Sequence, residues 1–240
     1  MTPPQVLWQT DQAMVVIKPV GIATQAPPGI DSLESRLRGW LGEDHYIAMV
    51  HRLDRPVGGL VLVAKTKRAA RLLSEQLASG KVVKTYRAIA SGVWNANDDD
   101  RAEPSVWCDW IRKVPDQPRC EIVSPGTAGA KEAITEVTWH DYDASENETR
   151  LTLVPKTGRM HQLRVQAAAR GLPLRGDSIY GPRADGSAEN PPTAGRPRTP
   201  ETPAVELAGG IERAGIGLRA VSLRFFDPRS GRLVSVAESP

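Results

Sequence analysis

The segment His51-Arg52-Leu53-Asp54-Arg55-Pro56-Val57-Gly58-Gly59-Leu60 constrains this chain more than any other stretch. It sets one carboxylate among arginines and glycines immediately before an apolar strand, Leu60 to Ala64. A carboxylate flanked by Arg52 and Arg55 stays ionised, because nearby positive charge favours its charged form. Gly58 and Gly59 let a second backbone or a ligand approach closely. The pattern describes a site carried into a buried strand more than it describes scaffold.

Around this segment the chain reads as short strands and few helices. Val6 to Trp8 and Met14 to Ile17 are predicted strands, closed by Pro19 and Gly21. A helix follows, capped by Asp31 with Glu34 three residues on, and Leu33, Leu37, Trp40 and Leu41 fall on one face. A second helix, Thr66 to Ser79, turns Leu72, Leu73 and Leu77 inward and stops at Gly80. Further strands are predicted at Lys84 to Ala90, Glu132 to His140, Arg150 to Val154, Arg219 to Phe226 and Leu233 to Ala237, and a third helix from about Gly158 to Gly171. Residues 91 to 131, acidic and without a clear period, read as a surface excursion, and residues 185 to 210, rich in Pro, Gly, Ala, Ser and Thr, as a flexible loop. Strands outnumber helices without βαβ alternation, so the expected class is α+β, a single domain over residues 1 to 240 built on a largely antiparallel sheet.

Charge divides along the chain in a way that bears on partners. Residues 1 to 90 carry 12 Lys and Arg against 7 Asp and Glu, residues 91 to 150 carry 6 against 13, and residues 151 to 240 carry 13 against 8. Lys65, Lys67, Arg68, Arg71, Lys81, Lys84 and Arg87 face one acid, Glu75, a local field that attracts a polyphosphate or forms a solvated helix face. No apolar run approaches the roughly 18 residues of a spanning helix. The first residues lack a basic segment followed by an apolar one, so we expect a cytoplasmic protein away from membranes. Two cysteines, Cys108 and Cys120, and four scattered histidines give neither a disulfide framework nor a metal signature.

Three separated segments stand out chemically: His51 to Leu60, Lys84-Thr85-Tyr86-Arg87-Ala88, and Lys156-Thr157-Gly158-Arg159-Met160-His161-Gln162-Leu163-Arg164. With Gly171-Leu-Pro-Leu-Arg-Gly176-Asp177-Ser-Ile-Tyr180-Gly181, Lys18-Pro19-Val20-Gly21 and Leu218-Arg219-Ala220, they follow one family's order across almost the whole chain. The chain resembles the RluA-type RNA pseudouridine synthases. Two departures are visible: Pro56-Val57-Gly58-Gly59 stands where the family commonly has Asp-Thr-Ser-Gly, and Arg219 where it commonly has His. The resemblance implies a catalytic domain without the appended N-terminal RNA-binding domain of many relatives, and a mostly antiparallel mixed sheet flanked by helices and loops, with an active-site cleft across it.

It also implies an isomerase that turns uridine in structured tRNA or rRNA into pseudouridine, as a monomer with no required protein partner, needing no cofactor and no metal. The ribose gathers oxocarbenium-like character as the glycosidic bond breaks, so an ionised carboxylate can stabilise it or add to it. By resemblance Asp54 takes that part, Arg164 pairs with it, Tyr86 stacks on the uracil, and Leu163 supplies apolar floor. Arg52 fills the space of an extruded nucleotide, since chemistry on a base requires flipping it out at a cost of a few kcal/mol. His51, Arg159, His161 and Gln162 are candidate substrate-binding residues, with the two histidines more suited to hydrogen-bonded framework than to acid-base work. Asp177 orients its turn and takes no chemical step.

Two other readings compete. A non-catalytic RNA-binding or RNA-folding module would use the basic surface but would not need Asp54, Tyr86 and Arg164 together. A glycoside or nucleoside hydrolase would need a second carboxylate, and none lies within the matched motifs.

Overall fold

A computed structural model of the chain describes residues 3–94, 105–181 and 215–238. The elements in chain order are β1 (Val6–Gln9), β2 (Ala13–Lys18), α1 (Leu33–Leu41), β3 (Ala48–Met49), β4 (Gly58–Ala64), α2 (Lys67–Ala78), β5 (Val83–Ser91), β6 (Ser105–Lys113) and β7 (Cys120–Val123). They continue with β8 (Lys131–Asp143), β9 (Glu148–Pro155), α3 (Gln162–Ala169), β10 (Leu218–Phe226) and β11 (Leu233–Ala237). The fold is α+β with mixed, mostly antiparallel sheet. The described residues fall into two compact units, one from Met1–Tyr86 with Leu218–Ser239, the other from Arg87–Gly217.

In the first unit every residue of β4 is buried, as a short apolar strand covered on both faces must be. It pairs antiparallel with β2 and β3 and parallel with β10, which in turn takes β11 antiparallel. Leu60, Leu62, Leu223, Phe225, Ala69 and Leu73 form the core, and burying a side chain such as Leu73 stabilises by about 2 kcal/mol. α2 lies on this core by its Ala69, Leu73 and Leu77 stripe, while Lys67, Arg68 and Arg71 face solvent. Thr66 caps α2, its hydroxyl accepting from the Ala69 amide at 3.1 Å. At α1 the cap is Ser32, in a reciprocal box with Ser35, and Asp31 instead forks onto Arg36. The serine wins because its short hydroxyl reaches the Ser35 amide while Ser35 answers the Ser32 amide.

The second unit corrects the expected excursion at 91 to 131. Residues 95–104 lie outside the described residues, but β6 and β7 form an antiparallel pair, and β6 continues onto β8. In β6, Ser105, Trp107 and Ile111 turn inward while Val106 faces out, so polarity hides the alternation. β8 runs on to Asp143, longer than expected, with an irregularity between Val137 and Trp139 in its register with β9. The expected loop at 185 to 210 lies outside the described residues. The third helix is shorter than expected: α3 begins only at Gln162, because Gly158 to His161 form a turn held by Gln162 itself. Its Oε1 accepts from the Arg159 amide at 3.0 Å and from the Thr157 hydroxyl at 2.7 Å. α3 is buried from Gln162 to Ala167. Its glutamines are acceptable there because they are bonded: Gln166 Nε2 donates to Asp109 and Ala133, and its Oε1 accepts from Thr135.

Candidate active site

In the first unit the site is a turn gripped on both sides. The Val57 amide donates to the Asp54 carbonyl at 3.0 Å, which closes the turn before β4 starts. The buried Thr24 hydroxyl brackets the preceding residue, accepting from the Leu53 amide at 3.0 Å and donating to the Leu53 carbonyl at 2.9 Å. On the other side the Gly21 amide donates to the Arg55 carbonyl at 2.9 Å, and Arg55 Nε donates back to the Gly21 carbonyl at 2.7 Å. Arg55 thus ties two loops together.

Lys18 completes the grip from below. Its side chain is fully buried, and Nζ donates to the carbonyls of Pro19, Ile22 and Arg55 at 2.9, 2.7 and 3.3 Å. Burial lowers its pKa to about 8, against the opposing pull of the Asp54 charge. His51 is buried too, and its Nε2 accepts from the Leu62 amide at 3.2 Å. Burial first, then the charge of Lys84, holds its pKa at about 3, so it is a neutral framework ring near pH 7. Tyr86 is buried on β5, and burial together with the charge of Asp54 pushes its hydroxyl well above the ordinary range. The charge of Asp54 thus bears on Tyr86, and Arg52, two residues before Asp54, is exposed.

The Gly-Gly that follows the turn has a structural explanation. Gly59 has φ +118°, and a Cβ there would lie 2.2 Å from the Ala220 carbonyl oxygen, where β10 runs parallel to β4. At Gly58 a Cβ would lie 2.8 Å from Nη1 of Arg219. Arg219 is itself forked onto Glu238 through Nε and Nη2. The two departures from the family pattern, Gly58 and Arg219, thus occupy a shared space.

In the second unit Arg164 sits on α3 with its side chain almost wholly buried. It forks onto Asp177, Nε to Oδ2 at 2.7 Å and Nη2 to Oδ1 at 2.7 Å. Burial pushes the Asp177 carboxyl upward, but the hydrogen bonds and charge of Arg164 with the amides of Ile179 and Tyr180 outweigh it and hold the group below the usual carboxylate range. Tyr180 places its ring 5.3 Å from the Arg164 guanidinium carbon. Leu163 is buried beside Arg164, and Arg159, exposed, donates from Nε to the Glu132 carbonyl at 2.8 Å. His161 Nδ1 meets the Tyr180 hydroxyl at 2.9 Å, and Gln162 has both ends of its amide engaged with framework.

Asp54 and Tyr86 thus belong to one unit, where the charge of Asp54 bears on the Tyr86 hydroxyl, and Arg164 is paired with Asp177 in the other. Asp177 orients its turn as expected, Oδ1 accepting from the amides of Ile179 and Tyr180, whereas its fork with Arg164 was not foreseen, and Thr24, Lys18 and Tyr180 were missed as supporting residues. The last two stand in motifs visible in the sequence, and Thr24 carries no signal at all.

A family model described as RNA pseudouridylate synthase matches residues 12–169, a span that runs through both units. A dual-specificity RNA pseudouridine synthase RluA from Yersinia pestis is 36% identical over 180 residues, covering 73% of this chain and 81% of that one. The protein of the same name from Escherichia coli K12 is 34% identical over 186 residues, covering 74% and 80%. Among solved structures, human RNA pseudouridylate synthase domain containing 1 superposes with a TM-score of 0.68 at 22% identity, covering 100% of this chain and 86% of that one, a likeness of fold.

Proposed function

The chain belongs to the RNA pseudouridylate synthase family, isomerases that make pseudouridine in RNA, and from that premise we propose that it acts on structured tRNA or rRNA by base flipping, with Asp54 as the catalytic carboxylate. The observation that carries this assignment is the Asp54 turn itself: Thr24, Lys18 and Gly21 bond to its backbone, Arg55 ties it back to Gly21, and the charge of Asp54 bears on the buried hydroxyl of Tyr86.

In the reaction the bond from ribose C1′ to uracil N1 breaks, the ring turns, and C1′ bonds to C5. The C5 hydrogen leaves as a proton and N1 gains one, so no oxidant or reductant enters. Asp54 meets the electron-poor C1′ as N1 departs, whether by adding to it or by taking a ribose proton. Tyr86 offers its face to the uracil. Its hydroxyl stays protonated in the free protein, since burial and Asp54 both oppose the phenolate. It therefore serves as a hydrogen-bond donor before any proton removal. Arg164 pairs with Asp54 and orients it, Leu163 supplies apolar floor, and Arg52, exposed, takes the place of the flipped nucleotide. Arg159 meets RNA at the surface, while His51, His161 and Gln162 serve the substrate through the framework they hold. The two units act as one catalytic domain over residues 1 to 240, monomeric and cytoplasmic.

The test uses transcribed tRNA and rRNA fragments carrying uridine tritiated at C5. The protein is expected to release tritium into water and to leave pseudouridine in the nucleoside digest. A digest free of pseudouridine across all fragments, with RNA still bound, would favour a non-catalytic RNA-binding module instead.

A further inference from the structure

An arginine has five N–H donors in a rigid plane, so its usefulness to a reacting group depends on how that plane is turned. At Arg164 the turning is done by two residues of the segment Gly176 to Gly181. Asp177 takes one edge of the guanidinium, Nε and Nη2, in a fork whose side chains are 3% and 0% exposed. Asp177 has no freedom of its own, because Oδ1 also accepts from the amides of Ile179 at 2.9 Å and Tyr180 at 3.2 Å. Tyr180 then fixes the face, its ring 5.3 Å from the guanidinium carbon.

Tyr180 is in turn anchored from two further elements. Its hydroxyl accepts from the Cys120 amide on β7 at 2.7 Å and lies 2.9 Å from His161 Nδ1. His161 stands at the start of α3 with φ +53° and gives that helix no side-chain cap. It stands three residues before Arg164 in the sequence. Its ring packs edge-on against Tyr180 instead. The left-handed backbone and the missing cap make local sense if the ring's purpose is to brace Tyr180.

We propose that Asp177 and Tyr180 are positioning residues of the isomerisation: they set the edge and the plane of Arg164, and His161 and the Cys120 amide brace Tyr180 for that task. The proposal rests on the role given above to Arg164. Asp177 also sets its negative charge directly against the buried guanidinium.

The experiment compares single-turnover pseudouridine formation on a transcript the wild-type protein modifies, alongside RNA affinity and urea midpoint. In Asp177→Asn the rate is expected to fall about 100-fold while RNA affinity stays within about 3-fold, as misplacement of a positioned group predicts. Tyr180→Leu removes the ring and is expected to fall by a similar factor, and Tyr180→Phe, which keeps it, by less than about 10-fold. Should Asp177→Asn fail to fold, the two Tyr180 variants carry the test, since their different losses separate ring from hydroxyl. A wild-type rate in both Asp177→Asn and Tyr180→Leu, or a loss in affinity with the rate unchanged, would overturn the proposal. Asp54→Asn and Arg164→Lys are measured beside them. If those two are inactive while the positioning variants are active, only the present proposal falls. If Arg164→Lys keeps the wild-type rate, the role given to Arg164 falls first.

Discussion

The turn that carries Asp54 is gripped at its main-chain carbonyls and amides, whereas the guanidinium of Arg164 is gripped by side chains, those of Asp177 and Tyr180 among them. The first arrangement spreads its support over Thr24, Lys18, Gly21 and Arg55. The second includes a buried ion pair and a ring. Distributed backbone support tolerates the loss of any one contact, because the remaining hydrogen bonds keep the turn closed. A buried ion pair is less tolerant, since removing one partner takes away charge compensation where water cannot replace it.

The largest effect expected in the first unit comes from Gly59→Ala. A methyl group would sit 2.2 Å from the Ala220 oxygen at a φ of +118°, so the β4–β10 pairing must open. We expect a loss of about 3 kcal/mol or more in urea unfolding. A loss below about 1 kcal/mol would show that the two strands are not locked together here. Next comes Thr24→Val, which keeps the shape but removes both hydrogen bonds to Leu53. Stability should fall by about 2 kcal/mol and turnover by no more than about 10-fold. A 100-fold loss would mean that support of the Asp54 turn is not distributed.

Acid exposes His51. Its folded pKa of about 3 lies below the unfolded value of 6.5, so between those values the unfolded chain binds a proton that the folded chain refuses. Stability therefore falls as pH drops from about 6.5 toward 3, with His51 contributing a slope of up to about 1.4 kcal/mol per unit. His51→Gln, which can still accept from Leu62, should flatten urea midpoints across that range by about one proton. An unchanged slope would place the acid sensitivity elsewhere. The smallest effect belongs to Arg55→Ala. It removes one exposed hydrogen bond to the Gly21 carbonyl and leaves the backbone pairing intact, so we expect a change below about 1 kcal/mol.

Legibility in the sequence follows the same division between backbone and side chain. The buried strand β4 and the amphipathic α2 were readable because periodicity and apolar runs report which faces are covered. The β6–β7 pair was not. Ser105 points inward and Val106 outward, and the Asp109 that breaks the pattern is taken up by Gln166 and Arg170. The start of α3 was misplaced because Gly158 to His161 are consistent with a helix until one knows that Gln162 folds its side chain back onto them. Motifs pointed to Asp54, Tyr86 and Arg164 as a set. Spacing gave no means of matching Arg164 to Asp177, since the choice of ion-pair partner is settled by packing. Nor could it reveal Thr24, a lone threonine whose role depends on where Leu53 comes to lie. The Pro56 to Gly59 departure became intelligible only once Gly58 and Gly59 were seen against Arg219 and Ala220.

The central claim, that Asp54 is the reacting carboxylate in a turn built to hold it, is met most directly by Asp54→Asn. The substitution keeps the size of the side chain and removes its charge. The measurement is single-turnover pseudouridine formation on a modified transcript, with RNA affinity determined in parallel. The account predicts that the product disappears, a loss of about 1,000-fold or more for a group acting on the reacting atoms, while affinity stays within about 3-fold. Turnover within about 10-fold of wild type would contradict it.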